Sequence, residues 1–299
     1  MDSILKAGST WRGIATRLAR WGAFVTLAPW AAWAATPSAI VIGQSLPISG
    51  PMTAFSRQVI SGAQAYVGHI NATGGIQGRP VQLVTLDDGG DPERHEANLR
   101  SLVRDSKAIA FLNCVGDASC LRAAKVATEF DTPLVGPMSG LRALRKTPHQ
   151  QVIAVRAGYD KEAAVLSLQM RSMGFSRVTL LTDSPNNAEH LAELNAAFKR
   201  QAMTLTTLSV TRGNLAQLQA AVQGVSASNP QTLLFDLDAA SLDDVATLAP
   251  ELRAAFPRML TSMATPSMTN LMALFRENVI GFTTVVPNPE IQSTPLVRE

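Results

Sequence analysis

Three short segments of this chain gather prolines, glycines and short polar side chains in the way a ligand-capturing turn does. They are Pro47-Ile48-Ser49-Gly50-Pro51, Cys114-Val115-Gly116-Asp117-Ala118-Ser119 and Pro137-Met138-Ser139-Gly140. Each leads into a predicted helix, so each could offer helix-N-terminal amides and small polar side chains to an anionic group. Reactive chemistry is harder to assemble. His69, His95, His149 and His190 are scattered, and neither an H-E-x-x-H nor a G-x-S-x-G pattern is present, so a hydrolase would need partners from distant positions. Asp87, Asp88 and Asp91 resemble the start of a calcium loop but lack the later bidentate glutamate, and a turn ending in an N-cap is the better reading. Gly74, Gly75 and Gly78 follow a helix and precede no Lys-Ser/Thr pair, so they read as a C-cap and turn, not a phosphate loop. Cys114 and Cys120 are too few for a structural zinc site; a local disulfide and a pair of free, buried thiols both fit. The expectation is a binding protein that is not an enzyme, with no cofactor, no metal and no catalytic residue.

The elements that must position these turns alternate from Ala39 onward between short apolar runs and longer amphipathic ones, the pattern of a parallel β-α sheet. Strands are predicted at Ile40 to Gly43, Val81 to Leu86, Ala108 to Leu112, Pro133 to Gly136 and Val152 to Arg156. A helix carries Val59, Ile60, Ala63, Tyr66, Val67 and Ile70 at helical spacing, and Asp91-Pro92 opens another with an N-cap acid and a proline at the first helical position. A third runs from Ala118 to Phe130. After Gly158 the alternation restarts. Helices are predicted at Lys161 to Met173, Ala188 to Arg200, Leu215 to Val225 and Leu242 to Ala255, with strands at Val178 to Thr182, Leu205 to Val210, Thr232 to Asp236 and Met259 to Ser262. Two α/β lobes, each with a doubly wound parallel sheet, are the expected architecture.

With 46% hydrophobic and 16% charged residues, the 299-residue chain is globular and can bury a sizeable core. Its formal net charge of +3 lies in the first 34 residues, where Lys6, Arg12, Arg17 and Arg20 face one acid, Asp2. An uncharged run from Trp21 to Ala35 follows, ending in Ala32-Trp33-Ala34. It reads as an export signal cleaved near Ala34, too short and too interrupted by Pro29 for a retained membrane helix. The remainder is neutral, with 22 basic and 22 acidic residues, and holds no lysine or arginine run that would track phosphates. Nucleic acid is thereby an improbable partner, and no direct membrane insertion is expected once the leader is gone.

The run Gly68-His69-Ile70-Asn71-Ala72-Thr73-Gly74-Gly75-Ile76-Gln77-Gly78-Arg79-Pro80, followed by Leu86-Asp87-Asp88-Gly89-Gly90-Asp91-Pro92, resembles the I-N-x-x-G-G-I-x-G and D-D-x-x-D-P motifs of a known family. These are the branched-chain amino-acid-binding proteins of ABC importers, which have the type I periplasmic binding protein fold. Pro133 to Gly140 and Val155-Arg156-Ala157-Gly158-Tyr159 resemble the family's next loop and its first hinge crossing. The resemblance implies two doubly wound lobes joined by crossing hinge strands, with a solute captured between them and delivered to membrane permease subunits. It implies a leader at 1–34, a first lobe at 35–156, a second at 157–282, and a return crossing at 283–299. Family members normally continue beyond this point, so the first lobe is expected to be incomplete at its C-terminus.

Position by position, the family's recurrent Ser/Thr contact to the ligand matches Ser119, with Ala118 beside it, and the next contact loop matches Met138, Ser139 and Gly140. Phe55 falls near an aromatic position of the first loop, and Tyr159 at the hinge could close over a ligand. The ligand-stacking tyrosine position corresponds to Asn187. The place of the ammonium-binding glutamate falls around Ala264-Thr265, with no acid, and Asp236 or Asp238 is the candidate replacement. The implied ligand is a small amino-acid-like or carboxylate solute, bound in the periplasm. A periplasmic sensing module for a signalling partner and a degenerate member without ligand are the alternatives.

Overall fold

A computed structural model describes residues 38–50, 52–146, 150–183, 188–211, 214–227 and 229–237, with shorter stretches between 241 and 261 and at 279–281. The leader and its cleavage site, His149, Asn187, Asp238, Ala264-Thr265, most of the helix expected at Leu242 to Ala255 and the return crossing lie outside the described residues.

The first sheet is built from β1 (Ile40–Leu46), β2 (Val81–Asp87), β3 (Ala110–Val115), β4 (Leu134–Met138) and β5 (Val152–Ile153). Between them run α1 (Thr53–Ala72), α2 (Pro92–Arg104), α3 (Asp117–Glu129) and a 3-10 turn at Arg142–Arg145. The strands lie in the order β2-β1-β3-β4-β5 and pair in parallel throughout. The second sheet takes β6 (Arg177–Thr182), β7 (Thr204–Ser209), β8 (Thr232–Asp236), β9 (Met259–Thr261) and β10 (Val279–Gly281) in the order β10-β9-β8-β6-β7, also all parallel. With it come α4 (Tyr159–Ser172), α5 (Ala188–Arg200) and α6 (Leu215–Ala227). Counted from its own first strand, each sheet has the same order, second-first-third-fourth-fifth. In each, the strand order reverses beside its first strand, and ligands of such sheets collect at the carboxyl ends there.

Alternation along the strands sorts side chains onto two faces. In β8, Leu233 and Phe235 join a core with Leu218 and Val225 of α6 and with Val245, Leu248 and Leu252, while Leu234 joins Leu166 and Met170 of α4 and Leu194 and Phe198 of α5. The second sheet is thus covered on both faces. In the first, α2 and α3 cover one face through Leu99, Leu102, Phe111, Ala123, Val126 and Leu134. The described cover of the other face comes from α1, and Ile109, Ile153 and Val155 stay exposed.

Two departures from the expected elements have physical causes. Strand β1 runs to Leu46, beyond Gly43, because its polar end residues find partners inside the sheet. Gln44 Nε2 donates to Thr85 Oγ1 at 2.7 Å and Ser45 Oγ donates to Asp88 Oδ2 at 3.0 Å. Strand β5 stops at Ile153, short of Arg156, because Arg145 donates to the carbonyls of Arg156 and Ala157 at 2.8 and 2.9 Å and draws the crossing away from the ladder. Strand β10 occupies Val279–Gly281, ahead of the residues read as a return crossing, and pairs with β9.

The signature segments act locally. Asn71 holds the start of β2 from both sides, donating to Val81 O at 2.8 Å and accepting from Val81 N at 2.7 Å. Asp91 caps α2 by accepting from Arg94 N at 2.8 Å, with Pro92 at the first helical position. Asp87 accepts from the amides of Ile48, Ser49 and Gly89, tying the first loop to the end of β2. Asp88 is buried, with its Oδ2 2.8 Å from His95 Nδ1.

Candidate functional site

The segment expected as a loop from Cys114 to Ser119 contracts to one residue. Cys114 and Val115 finish β3, Asp117 begins α3, and Gly116 makes the corner at φ +85°, in the left-handed region open to glycine. A disulfide joins Cys114 to Cys120 across this corner, so the end of the strand and the first turn of the helix are covalently bound. Asp117 is left half-exposed at the carboxyl end of β3.

Ser139 and Gly140 follow β4, both buried. Ser139 Oγ donates to Asp117 Oδ1 at 2.6 Å and accepts from Leu141 N at 3.2 Å. Tyr159, the first residue of α4, is 4% exposed; its amide donates to Gly140 O at 3.0 Å and its hydroxyl to Asp117 Oδ1 at 2.8 Å. Gly140 has to lack a side chain here, since a Cβ at that position would stand 2.2 Å from Cδ1 of the Tyr159 ring.

The far face of that ring reaches the second sheet. Tyr159 stacks on His190 of α5 with centroids 4.6 Å apart, and His190 Nδ1 lies 3.5 Å from Asp236 Oδ2 at the end of β8. Asp236 is 2% exposed and also accepts from Thr182 Oγ1 at 3.2 Å. Asp117 and Asp236 therefore occupy matching places, each at the carboxyl end of the third strand of its sheet, and Tyr159 and His190 bridge them. Nearby, Arg142 of the 3-10 turn reaches across to α5: its amide donates to Glu189 Oε1 at 2.8 Å and its guanidinium pairs with Glu193.

Two arginines fix the crossing between the sheets. Arg145 donates to the carbonyls of Leu141, Ser139, Arg156 and Ala157; burial pulls its pKa down, and the like charge of Arg156 adds to the effect. Arg156 is partly buried, which by itself disfavours its charge, but two hydrogen bonds from its guanidinium to Glu162 at 2.7 and 2.9 Å raise its pKa overall. Its guanidinium lies 5.5 Å from the centre of the Tyr159 ring.

Of the residues singled out in the sequence, Ser139, Gly140, Tyr159 and Asp236 come together here. Ala118 is exposed on the first turn of α3 and Met138 half-buried at the end of β4. Ser119 is buried in the first turn of α3, two residues after Asp117, which accepts the hydroxyl bonds of Ser139 and Tyr159. Phe55 is half-buried on α1, outside this network. Asp117, His190, Arg145 and the Arg156–Glu162 pair were not singled out. Asp117 meets Tyr159 across 42 positions, and no local spacing encodes that contact. Among the described residues no group of His, Cys, Asp and Glu could hold a metal ion, and no helix is long and apolar enough to cross a membrane.

Two parallel sheets of one winding order, bridged at their carboxyl ends, are matched by a family model described as periplasmic binding protein, over residues 39–298. The chain belongs to the periplasmic binding protein family. It is therefore a binding protein and not an enzyme. It is 30% identical over 162 residues to the Leu/Ile/Val-binding protein BraC3 of Rhizobium johnstonii, a stretch covering 54% of this chain and 43% of that relative. The chain thus matches less than half of that relative's length. A substrate-binding periplasmic protein from Ralstonia solanacearum superposes with a TM-score of 0.72 at 24% identity, covering 87% of this chain and 74% of the other. A solute-binding protein of an ABC transporter from R. palustris, solved with 4-hydroxybenzoate, superposes with a TM-score of 0.69 at 15% identity, covering 80% and 65%. Both solved structures support the type I periplasmic binding protein fold.

Proposed function

We propose that this chain is an extracytoplasmic receptor of an ABC importer, exported to the periplasm with loss of a leader near Ala34, that captures a small organic solute of amino-acid size between two lobes. Lobe 1 comprises residues 35–156 and lobe 2 residues 157–282. The observation that carries this reading is the chain of contacts from Asp117 through Tyr159 and His190 to Asp236, which joins the carboxyl ends of both sheets at one place. A solute lodged there would touch Ala118, Met138, Ser139 and Tyr159 from one side and Asp236 from the other.

Such a receptor works by population shift. A solute that contacts both lobes binds the closed form better than the open one and stabilises it by that difference in affinity. Membrane permease subunits would then read the closed shape, with no catalytic group required. The relatives named Leu/Ile/Val-binding protein support a solute of amino-acid size.

A thermal-shift screen of the mature chain against amino acids, their amides, amines and small carboxylic acids tests the reading. A compound that binds only the folded state, at a hundredfold excess over its Kd, stabilises it by about 2.7 kcal/mol. At least one compound should raise the melting temperature in a concentration-dependent way and reduce the radius of gyration in solution scattering. A screen with no such compound at millimolar concentration would remove the receptor assignment.

A further inference from the structure

We infer that Asp117 acts as a resident anion that sets the specificity of this receptor, selecting a solute that presents an amine and rejecting one that presents a carboxylate. The inference rests on the receptor reading above and narrows its ligand.

A ligand carboxylate needs hydrogen-bond donors or positive charge, and among the described residues the hydroxyls of Ser139 and Tyr159 and the guanidiniums of Arg145 and Arg156 are already engaged. Ser139 and Tyr159 have one hydroxyl proton apiece, and both are given to Asp117 Oδ1, at 2.6 and 2.8 Å. Asp117 itself stands in the first turn of α3, where its negative charge faces the partial positive charge of the helix start. The guanidinium of Arg156 is bound through two nitrogens to Glu162, and that of Arg145 is spent on four backbone carbonyls. Across the Tyr159–His190 bridge stands a second carboxylate, Asp236, buried at the end of β8. An incoming carboxylate would thus meet the like charge of Asp117, whose two hydroxyl partners have no proton left to give, whereas an ammonium would find acceptor oxygens on a half-exposed acid. The expected solute is an amine without a free carboxylate, its apolar portion directed toward Met138 and the Tyr159 ring.

Isothermal titration with matched probes tests this: 3-methylbutylamine and leucinamide against 4-methylpentanoate and benzoate, each with wild type, Asp117→Ala and the isosteric Asp117→Asn. Wild type should prefer the amines over the carboxylates by roughly tenfold or more, and both variants should lose that preference, Asp117→Ala gaining carboxylate affinity as Ser139 and Tyr159 are released. Circular-dichroism melts establish that each variant is folded, and Asp117→Asn, which keeps the side-chain shape, carries the test if Asp117→Ala does not fold. Carboxylates bound by wild type as tightly as amines, or a preference unchanged in the folded variant, would overturn the role of Asp117 while leaving the receptor intact. A neutral solute from the wider screen that binds when no amine does would have the same meaning. Failure of every solute would overturn the receptor reading itself.

Discussion

A methyl group at position 140 has nowhere to go. Its carbon would lie 2.2 to 2.5 Å from three atoms of the Tyr159 ring, and that ring is held in place by a hydroxyl bond to Asp117 and by stacking on His190. Overpacking of this kind typically costs about 1–3 kcal/mol, so Gly140→Ala should lower stability by that amount in urea unfolding. In a Tyr159→Ala background the same change should cost much less, and an equal cost in both backgrounds would show that the ring is not the obstacle. The pairing of Gly140 with Tyr159 was partly legible, since both residues stood out in the sequence through their family motifs. What the motifs could not convey was chemistry particular to this chain. An acid after Gly116 reads locally as an ordinary helix-starting residue, and only the folded chain shows two hydroxyls from 22 and 42 positions away converging on it.

At the scale of elements, periodicity served where side chains sort cleanly by polarity. Helix α5 occupies Ala188–Arg200 as expected, and α2 begins at the expected cap. It failed where polar residues are buried with partners, as at Gln44 and Ser45 in β1, or where an arginine captures backbone carbonyls, as at the end of β5. The loop after β1 depends on one such polar contact. The carboxyl of Asp87 is drawn down from 3.8 to about 2 by a hydrogen bond from the Ser49 side chain and by the amides of Gly89, Ser49 and Ile48. Because the folded-state value is the lower one, its stabilising contribution is complete above pH 3.8 and is lost as pH falls toward 2. Asp87→Asn should therefore destabilise the protein at neutral pH, with the difference from wild type shrinking between those limits in acid-titrated thermal melts. A difference independent of pH would mean that the charge of Asp87 contributes nothing. The Arg156–Glu162 pair is a deeper case. Glu162 is 4% exposed, and Glu162→Gln would leave the partly buried Arg156 guanidinium without its counter-charge, at a cost of no more than about 3–5 kcal/mol by chemical denaturation.

For the molecule as a whole, the repeated winding order was readable from the restart of the β-α alternation after Gly158, and contacts between the two halves were not. Arg142 illustrates this, since its position in a 3-10 turn gives no hint of Glu189 and Glu193 on α5. The guanidinium of Arg142 is half-exposed, so its pairing with Glu193 is worth about 0–1 kcal/mol. If it helps hold the lobes together, Arg142→Ala should shift the unliganded protein toward a more extended form by no more than about fivefold, seen as a larger radius of gyration in scattering. Saturating solute should restore the wild-type value.

The buried clusters described for the two sheets share no residue, and the described contacts that cross between the halves are polar or aromatic-on-backbone. Separating the described contacts would hydrate hydrogen-bonding groups and, on the apolar side, chiefly the one ring of Tyr159. Since it is apolar hydration that gives unfolding its large heat capacity, the opening equilibrium should follow a nearly straight van 't Hoff line while global unfolding remains strongly curved. A receptor built this way would open with one and the same enthalpy from cold to warm surroundings.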